Sequence, residues 1–156
     1  AGATVGSHAL FAGGTPKDGS LVVDAYDASL TLTAAADLSS AQNSYAAAAV
    51  GGYALFAGDT ADADVYDASL TKTTVSILSA ARQPDAVTAG GYAFFAGGDE
   101  SGTVDVCDAS LTRTTLTALS EARNSMAAAA VGDYVLFAGG RNTESLYHDT
   151  VDVYTI

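Results

Sequence analysis

Short apolar segments alternate with turn residues along the whole chain. In residues 104–107 two valines alternate with Asp105 and Cys107, and residues 151–154 repeat this pattern. Alternation of this kind predicts a strand with one buried face. Pairs of small turn residues, such as the glycines at residues 51–52, predict tight hairpins between neighbouring strands. The sequence therefore predicts an all-β fold of short strands.

Two phrases recur along the chain. A Phe-Ala-Gly phrase occurs four times, and its phenylalanines, at spacings of 45, 39 and 42 residues, are Phe11, Phe56, Phe95 and Phe137. A Tyr-Asp-Ala-Ser-Leu-Thr phrase begins at Tyr26 and Tyr66 and returns with Cys107 in place of tyrosine. A fixed period of this length indicates one supersecondary unit copied along the chain. The predicted units are residues 1–44, 45–84, 85–125 and an incomplete fourth unit, 126–156.

Each unit is predicted to contain four strands. The first is rich in Ala and Val, the second contains the Phe, the third ends at the Asp-Ala-Ser turn and the fourth is rich in Thr. The alanine runs at residues 46–49 and 127–130 favour helix by propensity alone. Strand is nevertheless predicted, because glycines bound these runs within a few residues and the equivalent residues 86–89 include Val and Thr. Small residues also suit strands that converge on a crowded axis.

The combined pattern resembles the kelch repeat. Four strands per unit, a double glycine after the second strand and a Tyr-Asp pair ending the third are the features that carry the resemblance. The wording is especially similar to kelch-like repeats of bacterial, often extracellular, proteins, and it covers nearly the whole chain. The resemblance implies a kelch-type β-propeller of four-stranded blades, with about 3.75 blades per chain. It also favours a location outside the cell.

Fewer than four complete blades leave open how the ring closes, since an open fan exposes sheet faces and edges. Two chains can complete an eight-bladed ring by twofold symmetry. One chain can instead close alone as a four-bladed ring, or the sequence can be a fragment of a longer parent. We favour the homodimer as the expected partner arrangement.

Charge and composition exclude several partners. The chain has 6 Lys and Arg against 18 Asp and Glu, a formal net charge of −12, which disfavours nucleic acid and anionic membrane surfaces. No apolar run has the length of a membrane helix, and the first residues do not have the pattern of a signal peptide. The acidity is expected to serve solubility.

Little in the sequence indicates catalysis or a cofactor. His8 and His148 have no metal-ligand spacing, and Cys107 stands where other units carry Tyr, so it is expected to be a packing residue. The acidic loops, with Asp59, Asp62 and Asp64 in one unit and Asp99 with Glu100 in the next, suit Ca²⁺ only weakly. Charged turns that discourage edge pairing are the preferred interpretation. We predict no catalytic residues, metal or cofactor.

The candidate site is the mouth of the propeller, formed by the connections that enter each innermost strand. These connections mix Arg, amide and aromatic side chains, which supply affinity and orientation in binding sites. Arg82 and Arg123 recur in register, so an internal structural pairing with a carboxylate or carbonyl is the alternative for them. The predicted mouth residues are Asn43, Tyr45, Arg82, Gln83, Asp85, Arg123, Asn124 and Met126.

The sequence thus predicts a non-enzymatic interaction module whose mouth recognises a peptide or carbohydrate. A structural half-propeller whose only partner is a second copy is the alternative. An enzyme of the sialidase or oxidase type is disfavoured, because it needs a cluster of Arg, Tyr and acidic or metal-binding groups around one mouth, where only two Arg lie.

Overall fold

The protein is an all-β, propeller-like fan of antiparallel sheets. Its structure, a computed structural model, describes residues 1–13, 20–41, 45–98 and 100–156, and these contain fifteen strands and no helix. Three sheets have four strands and one has three, in sequential order within each sheet. This confirms the predicted all-β, propeller-like fold with about 3.75 blades per chain. Each sheet is called a blade and lies within one of the repeat units predicted from the sequence.

The strand bounds are as follows. Blade 1 comprises β1 (Gly2–Val5), β2 (His8–Ala12), β3 (Val23–Tyr26) and β4 (Leu32–Ala34). Blade 2 comprises β5 (Ala46–Val50), β6 (Tyr53–Ala57), β7 (Asp62–Tyr66) and β8 (Lys72–Ser76). Blade 3 comprises β9 (Asp85–Ala89), β10 (Tyr92–Ala96), β11 (Val104–Cys107) and β12 (Arg113–Leu116). Blade 4 comprises β13 (Ala127–Val131), β14 (Tyr134–Ala138) and β15 (Val151–Thr155).

The alanine-rich segments are strands, as predicted. β5 pairs along its full length with β6, and β13 pairs likewise with β14. The first strand of each blade contacts the first strand of the next blade, so β1, β5, β9 and β13 lie side by side at the inner edge of the fan. Short side chains are needed there because four strands approach one another closely.

The Asp-Ala-Ser phrase forms the turn between the third and fourth strands. In blade 2 the Asp67 carboxylate accepts hydrogen bonds from the backbone N–H groups of Ser69 (2.9 Å) and Thr71 (3.0 Å). Leu70 then takes a left-handed φ of 63°, as Leu30 and Leu111 do in the neighbouring blades. A side chain bonded to its own backbone fixes this turn without help from the rest of the fold.

Three apolar cores lie between consecutive blades. One face of each inner blade carries the repeated Phe and packs against the preceding blade, and the other face carries Leu, Val and Ala and packs against the following blade. Phe56 and Tyr66, for example, meet edge to face over the core shared with blade 1. Full burial of such a side chain contributes roughly 1.5–3 kcal/mol. The blades are therefore held together mainly by these cores.

Candidate functional site

Arg82 lies in the connection between blades 2 and 3, but its side chain points into the protein. Its Nη1 lies 2.8 Å from a carboxylate oxygen of Asp105, and both side chains are fully buried. Its Nε donates to the carbonyl oxygen of Gly97 (3.0 Å) and its Nη2 to that of Phe95 (3.2 Å). The guanidinium therefore attaches the connection to blade 3. This is the internal structural pairing that the sequence analysis gave as the alternative to a ligand-binding role for Arg82.

Asp105 is the centre of that junction. Its carboxylate also accepts bonds from the Ser79 backbone N–H (2.7 Å), the Ser79 hydroxyl (2.8 Å) and the Thr115 hydroxyl (2.5 Å). Burial acts to raise the pKa of Asp105, but the bonds from Thr115, Ser79 and Arg82 together outweigh it and hold the pKa below its usual value. The carboxylate is thus ionised and fully paired at neutral pH.

Arg123 repeats this arrangement between blades 3 and 4. Its Nη1 donates to the carbonyl oxygens of Gly139 (3.0 Å) and Thr150 (2.8 Å), and its Nη2 pairs with Asp152. The residue is 1% exposed. Neither predicted mouth arginine is therefore accessible to a ligand in this structure.

Asp85 and Met126 bind each other across two blades. The Met126 backbone N–H donates to the Asp85 carboxylate at 2.8 Å, and the Met126 side chain is buried in the core between blades 3 and 4. Burial raises the pKa of Asp85, and the bond from Met126 offsets only part of that effect. The fold therefore brings these two predicted mouth residues together, but the Asp85 carboxylate binds the Met126 backbone and the Met126 side chain lies in the core.

The remaining mouth residues differ in their exposure. The Tyr45 hydroxyl donates to the carbonyl oxygen of Ser40, and burial raises the pKa of Tyr45. Gln83 is exposed and its amide bonds Asp59, while Asn124 forms a backbone bridge with Arg141. The predicted site residue Asn43 lies outside the described residues. A polar cleft of about 150 Å³ lies between blades 3 and 4, lined by Gln83, Pro84, Asp85, Gly98, Asn124, Ser125 and Arg141.

Among the described residues, no three His, Cys, Asp or Glu side chains are grouped so that they could hold a metal ion. Asp64, one of the acidic loop residues, is buried and accepts bonds from Ser39, while Asp99 lies outside the described residues. Cys107 is fully buried, and burial, with a smaller contribution from Asp108, raises the pKa of its thiol to about 11. Its surroundings are those of a packing residue.

The two ends of the fan carry exposed faces, as the sequence analysis expected of an open fan, but only the structure shows which residues form them. The face of blade 1 that carries Phe11 and Leu30, here called the leading face, has no blade in front of it. Phe11 is 54% exposed, whereas Phe56, Phe95 and Phe137 are at most 1% exposed, and Leu30 is 80% exposed. The repeat explains this difference in exposure. Blades 2, 3 and 4 each have a preceding blade that covers their phenylalanine, whereas blade 1 has none.

The opposite face of blade 4, here called the trailing face, is also uncovered. Val153 is 56% exposed, but its counterpart Val106 in blade 3 is 7% exposed; Val131, Tyr134 and Val151 are exposed as well. In the junction between blades 3 and 4, an apolar groove of about 330 Å³ remains on the outer side of blade 3, lined in part by Phe94, Val106, Leu116 and Ile156. In the preceding junctions the turn residues Leu70 and Leu111 pack at this position.

The two ends do not cover each other, so a single chain does not close into a four-bladed ring in this structure. The long apolar side chains of both ends remain exposed, Phe11 on one and Val153 on the other. No long apolar helix that could cross a membrane occurs within the described ranges.

Comparison with known families and proteins adds no assignment. No protein-family model matches the chain, and no curated protein matches it significantly. The function must therefore be argued from the surfaces described above.

Proposed function

We propose that this protein is a non-enzymatic interaction module that assembles through the two end faces of its fan, with a second copy of the same chain as the partner. The trailing face of one copy packs on the leading face of the other, and the reverse contact closes the ring. The observation that carries this proposal is that the same two kinds of face are buried against each other at three internal junctions and exposed only at the two ends.

Details of the hairpins support the same pairing. At the first two internal junctions, a glycine of the first hairpin lies against the third-to-fourth-strand turn of the following blade: a Cβ added to Gly51 would lie 2.6 Å from Ala109. The equivalent Gly132 of blade 4 has open space, and the equivalent Ala28 of blade 1 is exposed. The two ends therefore present complementary halves of a contact that the chain already makes internally.

The repeat wording that resembles kelch supports assigning the blades to a kelch-like propeller, and this assignment is part of the proposal. Exposed apolar patches of this kind mark interaction surfaces in soluble proteins. The proposed non-enzymatic character is supported by the two buried arginines and their carboxylate partners, which join blades and are therefore unavailable to a substrate.

The test is the mass in solution measured by sedimentation and light scattering. The 15.5 kDa chain is expected to form a dimer. Val153→Asp buries a charge in the proposed contact and is expected to weaken the dimer at least about 100-fold. Tyr147→Asp is the matched control, because Tyr147 is 86% exposed on a loop outside both faces. Phe11→Asp changes the leading face in the same manner as Val153→Asp changes the trailing face.

A mixture of the two variants tests the geometry of the contact. Val153→Asp chains retain a native leading face and Phe11→Asp chains a native trailing face, so the mixture contains one native junction per pair. Mixing is expected to restore dimers that neither variant forms alone. A wild-type chain that stays monomeric at high micromolar concentration contradicts the proposal, as does a dimer that survives both substitutions.

A second candidate function is recognition of a small polar ligand, such as a glycan or peptide, at the mouth. The polar cleft between blades 3 and 4 favours it, because its amide groups and Arg141 converge there. Gln83→Ala and Asn124→Ala are expected to abolish any binding found on a glycan or peptide array. Binding that survives both changes excludes this cleft as the site.

A further inference from the structure

One aspartate recurs at every junction between blades. It is the second residue of the shared Val/Ala-Asp pattern in the third strand, and in blades 2, 3 and 4 it is Asp64, Asp105 and Asp152. Each accepts a hydrogen bond from the backbone N–H of a serine in the connection from the preceding blade: Ser39 at 2.7 Å, Ser79 at 2.7 Å and Ser120 at 3.0 Å. These three carboxylates are called the junction aspartates.

Each junction aspartate also receives a cation. Arg82 pairs with Asp105 and Arg123 with Asp152, in each case from three residues beyond the serine. At the first junction, Gln42 stands at that position in the sequence, and Lys72 instead places its ammonium 3.7 Å from Asp64. The combination of a serine N–H and a cation is therefore the regular way in which one blade is attached to the next.

Blade 1 has the same aspartate, and within the part of the chain that the structure describes it lacks both partners. Asp24 pairs across the sheet with Phe11, just as Asp105 pairs with Phe95, so the carbonyls of Phe11 and Gly13 occupy the positions of those that bind Arg82. Asp24 is partly exposed, and among the described residues no serine N–H or cation binds it. It lies in an open groove lined by Ala1, Phe11, Ala12, Gly13, Ser20, Val22 and Asp24.

From this we infer that Asp24 and the carbonyl groups of Phe11 and Gly13 form a binding site for an arginine side chain, presented by a Ser-x-x-Arg segment of a further blade of the same type. The serine N–H binds the Asp24 carboxylate and the guanidinium binds the carboxylate and carbonyl oxygens, as Ser79 and Arg82 do at Asp105. Opposite charge favours this occupant, because a planar guanidinium matches a carboxylate flanked by carbonyl oxygens.

This inference goes beyond the proposed function, because it names a chemical group that the leading face binds and that a second copy of the chain does not supply. Pairing of two copies leaves the site open, because each Ser-x-x-Arg segment of the described chain already binds its own next blade. The site is therefore available to a separate Ser-x-x-Arg segment supplied in trans.

The test uses a capped synthetic peptide with the sequence of residues 77–84, Ile-Leu-Ser-Ala-Ala-Arg-Gln-Pro, titrated into ¹⁵N-labelled protein. Saturable shifts are expected at blade 1. A peptide with Gln in place of Arg is expected to bind at least about tenfold more weakly, since a charged hydrogen-bonded partner is lost. Asp24→Asn is expected to weaken the Arg peptide by a similar factor and to leave the Gln peptide nearly unchanged.

Two controls separate binding at this site from unspecific binding elsewhere on the protein. Asp133→Asn removes one charge from the exposed hairpin of blade 4, so equal losses in Asp133→Asn and Asp24→Asn indicate unspecific attraction to an acidic protein and overturn the inference. Equal binding of the Arg and Gln peptides overturns it as well. Val153→Asp disrupts the proposed dimer but leaves the Asp24 groove unchanged, so the Val153→Asp protein is expected to bind the Arg peptide normally. This variant therefore distinguishes a failure of the dimer proposal from a failure of the arginine site.

Discussion

Replacement of Arg82 by Met tests the energetic importance of the inter-blade ion pair. The change keeps much of the aliphatic volume but removes the donors to Asp105, Phe95 and Gly97, at 2.8, 3.2 and 3.0 Å. Asp105 is then a buried carboxylate without its cation, and two carbonyls lose a partner. Breaking a buried pair in this way costs about 3–5 kcal/mol of unfolding free energy. That is a large part of the stability of a typical domain.

The same reasoning predicts a smaller effect at the partly exposed Lys72–Asp64 pair. Lys72 lies 3.7 Å from Asp64, and its side chain is 20% exposed. Because water screens this pair, Lys72→Met is expected to cost about 1 kcal/mol or less. The double variant Arg82→Met with Asp105→Asn is expected to be more stable than the sum of the single changes predicts, because no unpaired charge remains.

Urea unfolding followed by circular dichroism and tyrosine fluorescence measures these differences, since the chain has 8 Tyr and no Trp. Acid sensitivity provides a second readout. The native pKa of Asp105 is lowered, so its stabilising contribution is present above its unfolded pKa of about 3.9 and is lost as the pH falls through the native value. Arg82→Met raises that native pKa towards the unfolded value, so the loss of stability on acidification is expected to be smaller than in the wild type. An Arg82→Met protein within about 1 kcal/mol of wild type refutes the reasoning.

Two further predictions concern other buried groups. Asp85→Asn is expected to raise the unfolding free energy at pH 7, because the amide oxygen still accepts the Met126 N–H while a buried charge is removed. This gain in stability is expected to shrink as the pH falls through the raised native pKa of Asp85. Urea titrations at pH 7 and pH 4 measure the gain. Cys107 is expected to resist a thiol reagent at pH 8 in the native protein and to react at once in urea, since its thiol is buried and has a pKa of about 11. Rapid native labelling contradicts that burial.

Local patterns of the sequence were sufficient to predict the strands and turns. The alternation in residues 104–107 predicted β11, and the Asp-Ala-Ser phrase predicted a turn that the Asp67 carboxylate closes by itself. Even the alanine run of β5 was predicted correctly against its helical propensity, because the neighbouring glycines limited its length. Interactions between residues close in sequence determine these strands and turns, so they can be predicted from the order of the residues alone.

The roles of the recurring arginines were decided only by the tertiary structure. From the sequence, Arg82 had two possible roles, ligand binding at the mouth or internal ion pairing. The sequence did not decide between them, because the partner Asp105 is 23 positions away and belongs to the next blade. Likewise, Phe11 and Phe56 stand in the same phrase, yet one is exposed and the other is buried. Burial depends on whether another blade lies against the face, and that is a property of the assembled fan that no local pattern contains.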